Sequence, residues 1–154
     1  MTGMVAIRQC DARDAPALAQ LRRRWAEEQA GRPLEDPGFD ARFAEWYAAE
    51  SPHRTTFLAE IDNDAIGMVN LAIFERMPRP GRPGSRWGYL ANAFVLAEHR
   101  GRGIGAALLD AVITHAQDRG CARIVLSPTE RSVPFYRRAE FGPATMLLAR
   151  TLGA

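Results

Sequence analysis

The segment Val95 to Gly105 (VLAEHRGRGIG) constrains this chain more than any other. A strand-like run, Tyr89 to Leu96 (YLANAFVL), leads into it, and an amphipathic helix from Ile104 to Arg119 leads out. In that helix Ile104, Leu108, Ala111, Val112 and His115 form one stripe, and Gly120 closes it. Gly101, Gly103 and Gly105 tolerate positive φ and let a ligand approach the backbone closely. The amides of such a turn point out of one concavity at the positive end of a helix, which suits a phosphate or pyrophosphate. A plain helix cap needs one Gly or Asp. Three glycines at alternate positions, with Arg100 and Arg102 among them, exceed that need.

The flanking segments order themselves around this turn. Val5 to Cys10 reads as a strand, and Asp14 as the N-cap of a helix with Pro16 in its first turn, Leu18, Leu21 and Trp25 on one face, and Gly31 at its end. A second helix starts at Asp36 and places Phe39, Phe43, Trp46 and Tyr47 together. Thr55 to Ile61 and Ile66 to Phe74 form a hairpin about Asp62, Asn63 and Asp64. Met77 to Trp87 (MPRPGRPGSRW) is a loop, since Pro and Gly break both regular periods. Ala122 to Ser127 is a strand that must run parallel to Tyr89–Leu96, because a helix separates them. A short helix, Ser132 to Ala139, and a last strand, Ala144 to Leu152 (ATMLLARTL), complete the order.

With 154 residues, 47% of them hydrophobic, the chain fits a single domain over 1–154, an α/β fold of mixed sheet and covering helices. All 20 basic residues are Arg, which excludes a Schiff-base lysine and a Walker-type phosphate loop. A net charge of +2 is too balanced to argue for nucleic acid. No apolar run reaches about 18 residues, so no membrane span is expected, and the N-terminus lacks a secretory pattern, which makes the cytoplasm the default. Cys10 and Cys121 form no CxxC and are expected to be buried free thiols. His53, His99 and His115 have no partner at metal-ligand spacing, so no metal is expected.

Gly101, Gly103 and Ala106 also satisfy the dinucleotide pattern G-x-G-x-x-G/A. That pattern expects the first strand of its unit and an acid about 20 residues on. Here four strands precede it, and the next strand ends Leu126-Ser127-Pro128 with Glu130 in the loop beyond. The better match is a family. Arg100-x-x-Gly103-x-Gly105, entered from Phe94-Val95, resembles the acyl-CoA signature of the GNAT superfamily of N-acyltransferases. Pro134-Phe135-Tyr136 followed by Phe141 resembles that family's closing F-Y-x-x-x-G-F motif, and with the strand order the likeness covers nearly the whole chain.

The resemblance implies a mostly antiparallel sheet of six to seven strands, one parallel pair splayed apart, and about four helices. It implies an N-acetyltransferase that uses acetyl-CoA as co-substrate and passes the acetyl group directly to an amine of a small molecule or peptide. By the same resemblance the backbone of Arg100, Gly101, Arg102, Gly103, Ile104 and Gly105 would wrap the CoA pyrophosphate. Main-chain groups of Phe94 and Val95 would pair with the pantetheine arm, and Tyr136 would protonate the departing thiolate. Thr129 stands where an asparagine often supports the pantetheine, Ala97 where proline is common, and Glu140 where the closing motif has glycine.

A glutamate at a position that needs positive φ costs about 1 kcal/mol, unless the turn moves to Gly142. The general base is open among Glu60, Glu45 and Asn92 acting through a water; Asn92 shares a strand face with Phe94 if no bulge intervenes. The acceptor pocket is expected between the first two helices and the loop. Trp46 and its aromatic neighbours would suit an apolar amine or a cation, whereas Arg76, Arg79, Arg82 and Arg86 would suit an anionic acceptor. Homodimerisation is common among domains of this kind, and ATMLLARTL is apolar enough to serve as a shared edge. The alternative function is a non-catalytic CoA-binding or regulatory domain of the same fold.

Overall fold

The computed structural model describes residues 3–153. Five strands form one sheet in sequential order: β1 (Val5–Gln9), β2 (Arg54–Ile61), β3 (Asp64–Glu75), β4 (Arg86–Val95) and β5 (Cys121–Val125). All neighbours are antiparallel except β4 and β5, which are parallel. The helices are α1 (Ala15–Ala30), α2 (Phe39–Glu50), α3 (Ile104–Asp118) and α4 (Val133–Arg138).

Seven consecutive residues of β3, Ile66 to Ala72, are buried, so both faces of the sheet are covered at its centre. One face carries α1 and α2, where Trp25 stacks on Phe94 with centroids 5.5 Å apart. The other carries α3, where His115 meets Phe57 edge-on at 5.6 Å. Leu18, Leu58, Val69, Leu71 and Val112 are the most completely buried large side chains, and they join the layers.

The helix ends follow from local chemistry. The Asp11 carboxylate accepts from the Arg13 amide and the Asp14 carboxylate from the Asp11 amide, which closes a capping box one turn before α1. Asp14 also takes a two-pronged ion pair from Arg8 on β1, at 2.7 and 2.9 Å, which holds its carboxyl below the usual carboxylate range. Gly31 ends α1 with φ 69° and a 2.8 Å bond to the Glu27 carbonyl. Helix α2 starts at Phe39, three residues after the expected Asp36, because Pro37 and Gly38 occupy the approach and Gly38 takes the cap position. Strand β4 starts at Arg86, inside the expected loop, where Arg86 pairs across the ladder with Glu75 at 2.9 Å.

Two expectations are corrected. The sheet has five strands, not six to seven, and Ala144–Leu152 is not a strand. A strand forms only where a ladder partner satisfies its backbone, and among the described residues this segment makes a single turn bond, Leu147 amide to Ala144 carbonyl at 3.3 Å. Met146, Leu147, Leu148 and Leu152 stay exposed. Among the described residues no helix is long and apolar enough to cross a membrane.

Candidate active site

Three features lie along β4 and its handover to α3. The first is the glycine turn. Gly101 and Gly103 have φ of 77° and 81°, and a Cβ added at either meets nothing within 4 Å, so the turn presents bare backbone to open space. Among the described residues the amides of Gly101, Arg102, Gly103, Ile104, Gly105 and Ala106 have no hydrogen-bond partner; the first amide satisfied in the helix is that of Ala107, which donates to Gly103 at 3.0 Å. These free donors sit at the positive end of the fifteen-residue helix α3.

The second feature is an open strand edge. Strands β4 and β5 pair only at Arg86–Cys121, Gly88–Ile124 and Tyr89–Val125. Beyond Tyr89, β4 continues to Val95 with β3 alone as its partner. Phe94 is buried and Val95 partly buried at the end of this edge. Arg100 folds back over it: Nε donates to the Val95 carbonyl at 2.9 Å, and Nη2 pairs with Glu28 of α1 at 2.8 Å. That ion pair lowers the Glu28 carboxyl below its ordinary range. Arg24 of α1 likewise reaches Glu98 at 3.1 Å.

The third feature is a cavity of about 300 Å³ between α1, α2 and the β2–β4 face, bordered by Trp46 and Asn92 among others. Asn92 lies in a bulge: the register passes from Met68–Phe94 to Asn70–Ala91, so two residues of β4 oppose one of β3. Asn92 itself has φ 56°, and its Oδ1 accepts from the Asn70 side chain at 2.8 Å. The bulge that would have broken the simple alternation is therefore present, yet Asn92 still borders the cavity.

The remaining candidates lie apart from that cavity. Glu60 is bound to Arg8 at 2.6 Å on the β1–β2 ladder and does not line it, and Glu45 is exposed on α2. Arg76, Arg79 and Arg82 lie in an exposed loop and are not among its walls. Thr129 closes a capping box with Ser132, its hydroxyl accepting from the Ser132 amide at 3.2 Å. Tyr136 is buried on α4 between Phe135 and Phe141, and its hydroxyl makes no hydrogen bond among the described residues. Burial raises its pKa and so favours the neutral phenol. It lines a second cavity, of about 660 Å³, between α3, β5 and α4. Glu140 adopts φ 68°, so the position does require a left-handed residue, and the turn has not moved to Gly142.

Three polar side chains near the site escaped sequence reading. Asn70 interrupts the apolar run IGMVNLAIF, which is the signal that marks it. Arg22 belongs to an Arg-Arg-Arg run that looks like a solvated helix face, and Glu28 looks like an ordinary surface acid. Neither of these two carries a local signal.

The sequence profile of the Acetyltransferase (GNAT) family matches residues 17–141, and the chain belongs to that family. It is 28% identical to glucosamine 6-phosphate N-acetyltransferase 1 of Oryza sativa subsp. japonica over 111 residues, 71% of this chain. It is 30% identical to glucosamine 6-phosphate N-acetyltransferase of Trypanosoma brucei brucei over 76 residues, 49% of this chain. The matches span only 65% and 50% of those relatives' lengths. Among solved structures, a GCN5-related N-acetyltransferase from Ralstonia eutropha has a TM-score of 0.73 at 26% identity, with 97% of this chain and all (100%) of that one covered. A predicted acetyltransferase from Clostridium acetobutylicum, solved with acetyl-CoA, shares the fold with a TM-score of 0.77 at 22% identity and 97% of each chain covered.

Proposed function

We propose that the chain is an N-acetyltransferase that moves an acetyl group from acetyl-CoA to an amine by direct attack. The observation that carries this is the run of unpartnered amides from Gly101 to Ala106 beside the unpaired β4 edge. The amides would take the CoA pyrophosphate, Arg102 adding charge, and the edge at Phe94 and Val95 would pair with the pantetheine amides. A neutral amine then attacks the thioester carbon. Its carbonyl oxygen becomes an oxyanion held by backbone N–H groups, and the C–S bond breaks to release a thiolate. Tyr136, kept neutral by burial, would supply that thiolate's proton, and the proton lost by the attacking nitrogen would return through solvent to the Tyr136 phenolate. Cys10 is no nucleophile here, because burial pushes its thiol up to about 12. The acceptor would enter through the cavity at Trp46 and Asn92.

Thermal shift with CoA, acetyl-CoA and NAD, followed by thiol release over a panel of amines, tests this. CoA stabilisation with thiol release is expected. Stabilisation by NAD alone overturns it, and CoA binding with no release on any amine favours the non-catalytic alternative. The exposed Met146, Leu147, Leu148 and Leu152 support a second copy as the partner of the C-terminal segment. A monomer by light scattering removes that part.

A further inference from the structure

We infer that the cavity between α1, α2 and the β2–β4 face takes an amine that also carries an anionic group, carboxylate or phosphate, and that Arg22 receives the anion. This rests on the acetyltransferase proposal for the same site.

The only charged side chains on the cavity wall are cations, Arg22 and Arg42. Arg42 is neutralised by an ion pair with Asp36. The nearby Arg23 is bound to Glu27 at 3.8 Å and to the carbonyls of Leu34 at 2.6 Å and Asp36 at 3.0 Å, and Arg54 to Glu50 at 3.6 Å and Asn70 at 3.3 Å. Arg22 alone of these four has no carboxylate within ion-pairing distance among the described residues, and its Nη1 is shut off from solvent with no hydrogen-bond partner. A half-buried guanidinium without an anion is costly; Nη1 itself is covered by protein, so a ligand anion in the cavity would meet the part of the Arg22 guanidinium that lines the wall.

The aromatic faces point the same way. Arg22 lies over Trp25 at 4.6 Å, Arg23 over Phe39 at 5.2 Å, and Arg54 over Trp46 at 5.5 Å. Of the rings on the cavity wall, Phe39 and Trp46 are thus already faced by guanidinium groups, which disfavours a ligand cation there. The same positive surroundings lower the pKa of a bound amine and favour the neutral nucleophile. An anion on the acceptor offsets the repulsion and fixes which end points toward Asn92. A volume of about 300 Å³ fits a metabolite-sized body rather than a folded chain.

Matched acceptors that differ only in the anion test this: phosphoethanolamine against ethanolamine, glucosamine 6-phosphate against glucosamine, and phenylalanine against phenylalaninamide. Thiol release should show at least about a tenfold higher kcat/KM for the anionic member of one pair or more, about 1.4 kcal/mol. Which pair responds separates phosphate from carboxylate. In Arg22→Gln that ratio should fall to within about twofold through KM, whereas Arg22→Lys should restore part of it. The CoA-induced melting shift reports that the variants are folded. Equal rates within every pair, or a preference that survives Arg22→Gln, overturn the inference. If no amine releases thiol, the acetyltransferase proposal fails separately. Calorimetry with the anionic members then decides: Arg22-dependent binding sustains the anion site, and no binding overturns it.

Discussion

The side-chain amide of Asn70 donates to Oδ1 of Asn92 over 2.8 Å, tying β3 to β4 at the bulge in β4. Asn70 is 5% exposed and also accepts from Arg54 at 3.3 Å, so its removal strands two polar groups. Asn70→Ala should lower the unfolding free energy by about 2 kcal/mol, with an unchanged urea m-value. A loss near zero would show that water replaces both bonds without cost.

Gly103 at φ 81° caps α3 with no neighbour in the way of a Cβ. Gly103→Ala should cost only about 1 kcal/mol of stability from the left-handed backbone. It should weaken CoA binding by about tenfold or more, because the methyl stands where the phosphates would approach, and ten-fold is about 1.4 kcal/mol. Calorimetry with CoA checks it, and wild-type affinity would place the phosphates elsewhere.

Tyr136→Phe should reduce turnover by about tenfold or more while CoA affinity stays within about twofold. Burial holds the wild-type phenol above its ordinary range, which keeps it in the neutral, proton-bearing form. A turnover profile identical in the variant across pH would remove Tyr136 from the chemistry.

Glu140 holds φ 68° where no side chain is comfortable. Glu140→Gly should therefore raise the unfolding free energy by about 1 kcal/mol. An unchanged denaturation midpoint would mean that the turn relaxes without strain.

Alkali should destabilise the fold. Burial lifts Cys10 from 9.0 to about 12 and Tyr47 from 10.0 to about 12, and the Tyr47 hydroxyl donates to the Asp11 carbonyl at 3.2 Å. The native state then holds protons that the unfolded chain has lost, so stability falls as pH rises from 9 toward 12. Cys10→Ser should flatten the first part of that fall in denaturant titrations at pH 8 to 10.5, roughly the span of the unfolded thiol. An equal slope in the variant would contradict the burial argument.

The legible parts of the sequence were those governed by local rules. Helix α3, its stripe and the stop at Gly120 follow from periodicity and a left-handed glycine, and so do the β2–β3 hairpin and the end of α1 at Gly31. Ala144–Leu152 misled because β propensity says nothing of whether a ladder partner exists. The bulge at Asn92 is a register property of two strands, invisible in either alone. A cavity does lie between the first two helices, and the loop arginines Arg76, Arg79 and Arg82 are not among its walls. The charged residues on its walls are Arg22 and Arg42, and which of them lacks a carboxylate partner depends on contacts that no local pattern records.

Helix α1 carries the cavity wall at Leu18 and Arg22 in its first half, and Arg24 and Glu28, which hold Glu98 and Arg100, in its second. A single rod thus connects both ends of the cleft. A ligand at the Val95 carbonyl would share that oxygen, or compete for it, with Arg100 Nε, and Arg100 is the group that ties this edge to Glu28. Whatever displaced Arg100 would thus act on the same helix that walls the cavity at Leu18 and Arg22.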